Sequence, residues 1–102
     1  MVYKMRFVQN YDKKDEAAFL ALEKRFIELE EKSADLKRGR RYVSVMGREA
    51  VNTMIWEAEY DSMEEAVNAL KIIQENPEHD ALLEKQICFM RDSYVELYQQ
   101  IG

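Results

Sequence analysis

The sequence predicts an α+β fold in which a four-stranded antiparallel sheet carries its helices on one face. Four stretches alternate apolar and polar side chains with the period of a strand, and three others repeat apolar residues every three or four positions. Their order is strand, helix, strand, strand, helix, helix, strand. At 102 residues, with 3 Gly, 1 Pro and 47% hydrophobic residues, the chain reads as one domain, 1–102, built on a single core.

In the first strand, residues 2–9 (VYKMRFVQ), Tyr3, Met5 and Phe7 fall on one side and Lys4, Arg6 and Val8 on the other. Asp12 then reads as an N-cap, with Asp15 and Glu16 in the first turn. Leu22, Phe26, Leu29 and Leu36 recur at helical spacing until Gly39 offers a stop, which predicts a helix over 13–37. RRYVSVMG, residues 40–47, sets Val43 and Val45 against Tyr42, Ser44 and Met46. After a polar turn at residues 48–51, NTMIWEAEY (52–60) completes a hairpin with it.

Asp61 or Ser62 caps the next helix, and Ser62 and Glu65 have the spacing of a capping box. Met63, Ala66, Val67, Leu70 and Ile73 form its apolar stripe, which runs to about Asn76. Asn76-Pro77-Glu78 is a fresh start, a cap followed by proline at the first helical position, with Leu83, Ile87 and Met90 as the buried stripe. SYVELYQQI, residues 93–101, alternates Val95, Leu97 and Ile101 against Tyr94, Glu96 and Tyr98. Val95, Tyr98 and Ile101 also suit a helix, but β-branched and aromatic residues and the break at Asp92-Ser93 favour a strand. The result is a ferredoxin-like plait, βαββααβ, and right-handed crossovers place every helix on the same face.

Alternation sorts the sheet into two faces. Tyr3, Met5, Phe7, Val43, Val45, Met54, Trp56, Ala58, Tyr60, Val95, Leu97 and Ile101 share the more apolar one, which the helices should cover, so Trp56 is expected to be core rather than a cofactor platform. Lys4, Arg6, Val8, Tyr42, Ser44, Met46, Ile55, Glu57, Glu59, Tyr94, Glu96 and Tyr98 collect on the other. That face is too aromatic for ordinary wet surface and too charged for a core. It suits a sheet that closes against a second sheet around a partly polar cavity.

The element order, NTMIWEAEYDSMEEA (52–66) and NPEHDALLEK (76–85) resemble the dimeric α+β barrel superfamily, in particular its NIPSNAP-like and antibiotic-biosynthesis-monooxygenase-like branches. The resemblance implies a homodimer whose sheets pack face to face, with a cavity that binds or transforms a small organic molecule in some members. Haem-degrading members use an Asn, Trp and His set. Here Asn10 falls at the end of the first strand and the separation of Trp56 from His79 is too long, so haem chemistry is not expected and no cofactor is assigned.

Within the polar face, Glu57 and Glu59 are candidate proton acceptors, while Arg6, Tyr42, Tyr94 and Tyr98 are candidate ligand-binding residues. A cross-strand ladder of ion pairs is the plainer explanation of the same residues. His79, the single histidine, is a third catalytic candidate, with a structural role in the first turn of its helix as the alternative. One histidine excludes a multi-histidine metal centre, and no metal is assigned. Cys88, between Ile87 and Phe89, reads as a buried inert thiol. KRGRR, residues 37–41, could hold an acidic ligand but reads more simply as a solvated turn beside an acidic helix.

The bulk numbers exclude other classes. A net charge of −5 and three glutamates on the aromatic face argue against nucleic acid as a partner. No apolar run approaches the roughly 20 residues that span a bilayer, and residues 1–4 lack the apolar stretch of a secretory signal. One cysteine cannot form an internal disulfide and suits a reducing compartment, so the cytoplasm is the expected location. Three functions follow: a homodimer that binds a small molecule, a cofactor-independent monooxygenase or related enzyme, or a non-catalytic assembly module.

Overall fold

A computed structural model describes all 102 residues. The elements are β1 (Tyr3–Tyr11), α1 (Glu16–Lys32), β2 (Arg40–Val43), β3 (Thr53–Tyr60), α2 (Met63–Glu75), α3 (Pro77–Gln86) and β4 (Met90–Gln99). One sheet holds all four strands in the order β2-β3-β1-β4, and every pairing is antiparallel. This is the ferredoxin-like α+β plait, and residues 93–99 are strand rather than helix.

The helices lie on the face that the alternation marked as apolar, but Val43, Val95 and Ile101, expected beneath them, remain exposed. Met5, Trp56, Ala58 and Tyr60 from the sheet pack with Ala66 of α2, and Phe7, Leu70, Ile73 and Leu97 extend that cluster. Phe26 and Leu29 of α1 meet Leu36 and Leu82, while Tyr11, Phe19 and Met54 close one end. Removing these side chains from water supplies the main stabilising term.

Caps hold the helix starts. The Ser62 hydroxyl accepts from Glu65 N at 3.1 Å, and the Glu65 carboxylate reaches back to Asp61 N at 3.2 Å. Asn76 Oδ1 accepts from His79 N at 2.9 Å, with Pro77 at the first helical position. Asp12 also caps, but it begins a single 3₁₀ turn, Lys13–Asp15, ahead of α1.

Several boundaries differ from the sequence reading, each for a tertiary reason. Helix α1 stops at Lys32, five residues early, because Ser33 turns extended and the chain folds back to bury Leu36. Gly39 is therefore no helix stop. It sits against the Trp56 indole, where a Cβ would lie 2.1 Å from Nε1. Strand β2 ends at Val43, and Val45 and Met46, expected to continue it, stand 86% and 95% exposed in a loop that turns at Gly47, φ 147°. Met63 and Val67 are exposed, leaving Ala66, Ala69, Leu70 and Ile73 as the inner stripe of α2. Helix α3 ends at Gln86 and tightens into the turn Ile87–Phe89, which exposes Ile87 and Cys88; the thiol is not buried.

Candidate functional site

The polar face and the main pocket of the single chain lie on opposite sides of the sheet. Register puts Arg40, Glu57, Arg6 and Glu96 in one row across all four strands, and Tyr42, Ile55, Val8 and Tyr94 in the next. Arg6 pairs with Glu57 at 2.9 Å and with Glu96 at 3.7 Å, and Lys4 lies 3.7 Å from Glu57. The Arg6 guanidinium also rests 5.8 Å from the centre of the Tyr98 ring. These part-exposed pairs form the ladder that the charges allowed, and each contributes on the order of 0–1 kcal/mol. Glu59 is exposed and makes no ion pair. Tyr42 is likewise exposed. The Tyr94 hydroxyl donates to Glu49 in the loop after β2, an interaction that pushes its pKa up to about 12.

The single chain forms a half-open pocket on the helix side. A cavity of about 260 Å³ opens between the sheet and the three helices. Phe7, Trp56 and Val95 supply sheet walls, Phe26 of α1, Leu70 of α2 and Leu83 of α3 supply apolar helix walls, and His79 and Gln86 also line it. The alternation pointed to the polar face for a cavity. A single chain forms one where the helices stand off the sheet over β1 and β4.

Its polar centre is an ion triad. On α1 the inward stripe reads Phe19, Glu23, Phe26, Glu30, spaced four, three and four, so two glutamates occupy core positions. Arg41 is paired with Trp56 in the β2–β3 register and therefore shares its side of the sheet. Arg41 Nε donates to Glu23, and Nη1 and Nη2 donate to the two oxygens of Glu30. The three side chains are 14%, 8% and 9% exposed. Burial alone would lower the Arg41 pKa, but the two carboxylates raise it overall and keep the guanidinium charged. Glu30 also accepts from Gly39 N at 3.0 Å and from Trp56 Nε1 at 3.3 Å. One carboxylate thereby joins α1, the turn before β2, and β3.

Gln86 completes the lining from α3. Its Nε2 donates to Glu23 Oε1 at 2.9 Å and to Phe19 O at 3.3 Å. Both partners are acceptors, so the amide has one orientation, and Oε1 is left buried without a donor. Gln9, also on the cavity wall, has a buried Oε1 in the same condition. His79 stands in the first turn of α3 with its ring tilted against Phe26, centroids 4.8 Å apart. Burial lowers its pKa, opposed by Glu30 and Asp80, so the imidazole is neutral near neutral pH. No group of three His, Cys, Asp or Glu side chains is placed to hold a metal ion.

Trp56 is both core and wall. Its ring stacks on Phe7 at 4.9 Å and 22°, and the other side of the same residue borders the cavity with His79. Trp56 and His79, too far apart in sequence for the haem-degrading set, both border this cavity, while Asn10 is held elsewhere by Asn52 and Thr53. Among the expected site residues, only His79 and Tyr94 border the cavity. Glu23, Glu30, Arg41 and Gln86 were missed. The glutamates carried a signal, being charges at buried positions of an apolar stripe, and Arg41 was hidden inside a basic run that read as solvated.

No protein-family model matches the sequence, and no curated protein matches it. The fold does have solved counterparts. An antibiotic biosynthesis monooxygenase superposes with a TM-score of 0.77 at 14% identity, over 98% of this chain and 99% of that one. A NIPSNAP family protein from Agrobacterium tumefaciens gives 0.79 at 12% identity, over 99% and 94%. An uncharacterized NIPSNAP-like domain protein from Burkholderia xenovorans gives 0.75 at 13%, over 99% and 86%. At these identities the likeness is one of fold.

Proposed function

We propose that the protein binds a small, largely apolar organic molecule in the cavity between the sheet and its helices. The observation that carries this is the cavity itself: about 260 Å³, walled by Phe7, Phe26, Trp56, Leu70 and Leu83, with a few fixed polar groups at its centre. That combination is the usual chemistry of a small-molecule site, with a volume just below the common range of roughly 300–1,000 Å³. Trp56 is the single tryptophan, so its fluorescence reports directly on the wall. Titration with small aromatic probes should shift or quench that emission with saturation. Leu83→Trp, which projects bulk into the cavity, should abolish binding while the protein stays folded; saturable binding that survives the filling would place the ligand elsewhere.

A catalytic version has one observation in its favour. The neutral His79 imidazole on the cavity wall can accept a proton from a bound molecule, a role for which a base of pKa near or below neutrality is suited. One solved structure of this fold is named an antibiotic biosynthesis monooxygenase, and the matching cofactor-independent reaction would let the carbanion of a bound C–H acid reduce molecular oxygen, one oxygen atom entering the product as a carbonyl and the other leaving as water. Glu57 and Glu59 fit such a role less well, since they face away from the cavity.

The same reading gives the polar face to a second copy. Charges paired within the sheet and exposed Tyr42, Tyr94 and Tyr98 suit a homodimer interface, where Arg6, Glu57 and Glu59 would line the space between two sheets. No helix is long and apolar enough to cross a membrane. A lone exposed Cys88 fits a reducing compartment, and we place the protein in the cytoplasm.

A further inference from the structure

The proposed cavity has an acceptor-rich interior. Two carboxylates, Glu23 and Glu30, face one guanidinium, so the buried triad keeps one net negative charge. Most of the donors around the triad are already committed. Arg41 gives three of its N–H groups to the glutamates, Trp56 Nε1 donates to Glu30, and Gln86 Nε2 donates to Glu23 and Phe19 O. Gln86, fully buried in the wall, retains an Oε1 that no donor meets. The other two charged lining residues, Lys37 and Asp80, cancel in net charge, and the Lys37 ammonium is already committed to Glu59 O and to the Tyr60 ring, 4.7 Å from its centre.

These features discriminate between classes of ligand. An anion entering here would give up its hydration to face uncompensated negative charge. A cation would meet the opposite: a net negative interior at reduced dielectric, together with the aromatic rings of Phe7, Phe26 and Trp56 in the wall, a ring type that attracts ammonium groups. The neutral state of His79 leaves this balance intact. We infer that the cavity is selective for a small organic cation, an aromatic or aliphatic amine in its protonated form, with Glu23 and Glu30 setting the charge preference. The inference rests on the cavity being the binding site and adds the class of molecule it takes.

Three probes of nearly equal size separate the possibilities: benzylamine, benzyl alcohol and benzoate. Their dissociation constants, from Trp56 fluorescence and checked by equilibrium dialysis at neutral pH, should rank amine tightest and benzoate weakest. The amine should bind about tenfold tighter than the alcohol, as expected for a charge and ring attraction in a partly desolvated site. In Glu23→Gln the triad becomes neutral, and the ratio of amine to alcohol affinity should shrink to about threefold or less. Equal binding of amine and alcohol, or tighter binding of benzoate, overturns the charge selectivity and leaves the cavity as the site. If none of the three binds, the cavity reading falls with it. An undiminished amine preference in folded Glu23→Gln overturns the assignment to the triad. The wild-type series requires no variant, so the test holds even where Glu23→Gln does not fold.

Discussion

At Gly39 a single methyl group decides the position of the cavity wall. A Cβ there would come within 2.1–2.7 Å of three indole atoms of Trp56, and the ring is held from behind by Phe7. Gly39→Ala must therefore displace the indole or the turn, at a cost of about 1–3 kcal/mol by the usual measure of overpacking. Urea unfolding gives the loss of stability, and a changed Trp56 emission maximum shows that the ring has moved. Arg41 is more sensitive still. Arg41→Met leaves Glu23 and Glu30 buried with no cation between them, which should cost about 3–5 kcal/mol, whereas loss of the exposed Lys32–Glu78 pair should cost almost nothing. His79 sets a pH dependence. Burial holds its folded pKa below 6.5, so the unfolded chain takes up a proton at a higher pH than the folded one does. Its contribution is complete above the unfolded value and is lost as pH falls through 6.5 toward the folded value. Urea midpoints of the wild type should decline over that window more steeply than those of His79→Gln; parallel curves would show that His79 is not held neutral by the fold.

The starts of α2 and α3 rest on local chemistry, and single substitutions test them. Ser62→Ala removes the acceptor for Glu65 N and Asn76→Ala the acceptor for His79 N, each costing about 1 kcal/mol in denaturant unfolding. Because Asn76 also fixes the turn that carries His79, its loss should weaken ligand binding, while the loss of Ser62 should not. These caps were legible in the sequence because a cap acts within four residues, and the strand faces were legible because alternation is a property of the strand alone. What could not be seen depends on partners distant in the chain. Helix α1 continues to spell a helix past Lys32, yet burial of Leu36 against Phe26 and Leu29 ends it. Cys88 lies in an apolar run, but the 3₁₀ turn after Gln86 rotates it outward. The side of the sheet that holds the cavity was equally hidden. Alternation shows which residues share a face, but the gap that α1, α2 and α3 leave above Phe7 and Trp56 is set by how the helices pack.

The face without helices presents the remaining question of architecture. Its rows are complementary to themselves under a two-fold rotation: basic and acidic residues alternate across the strands as Arg40, Glu57, Arg6 and Glu96, and the next row offers Tyr42 and Tyr94 at its ends. Val8 and Ile55 between them are already buried, so the exposed apolar area is concentrated in the tyrosines, with Tyr42 at 47% and Tyr98 at 45%. A second copy set face to face would cover those rings and remove the Arg6–Glu57–Glu96 ladder from solvent, strengthening each ion pair by lowering the local dielectric. Light scattering after size exclusion should therefore give twice the 12.1 kDa chain mass at micromolar concentration. Tyr42→Asp with Tyr98→Asp adds charge at two exposed positions and leaves the core untouched, so the doubly substituted chain should fold, keep its cavity and run as a monomer. A wild-type monomer would return the ladder to the surface as solubilising charge, and a dimer that survives both substitutions would have to form through another surface, for which the exposed Val45 and Met46 of the loop after β2 are the nearest apolar residues. Binding of a probe by the monomeric variant, with affinity equal to the wild type, would further show that each chain carries a complete site and that dimerisation and ligand recognition are built on opposite faces of one sheet.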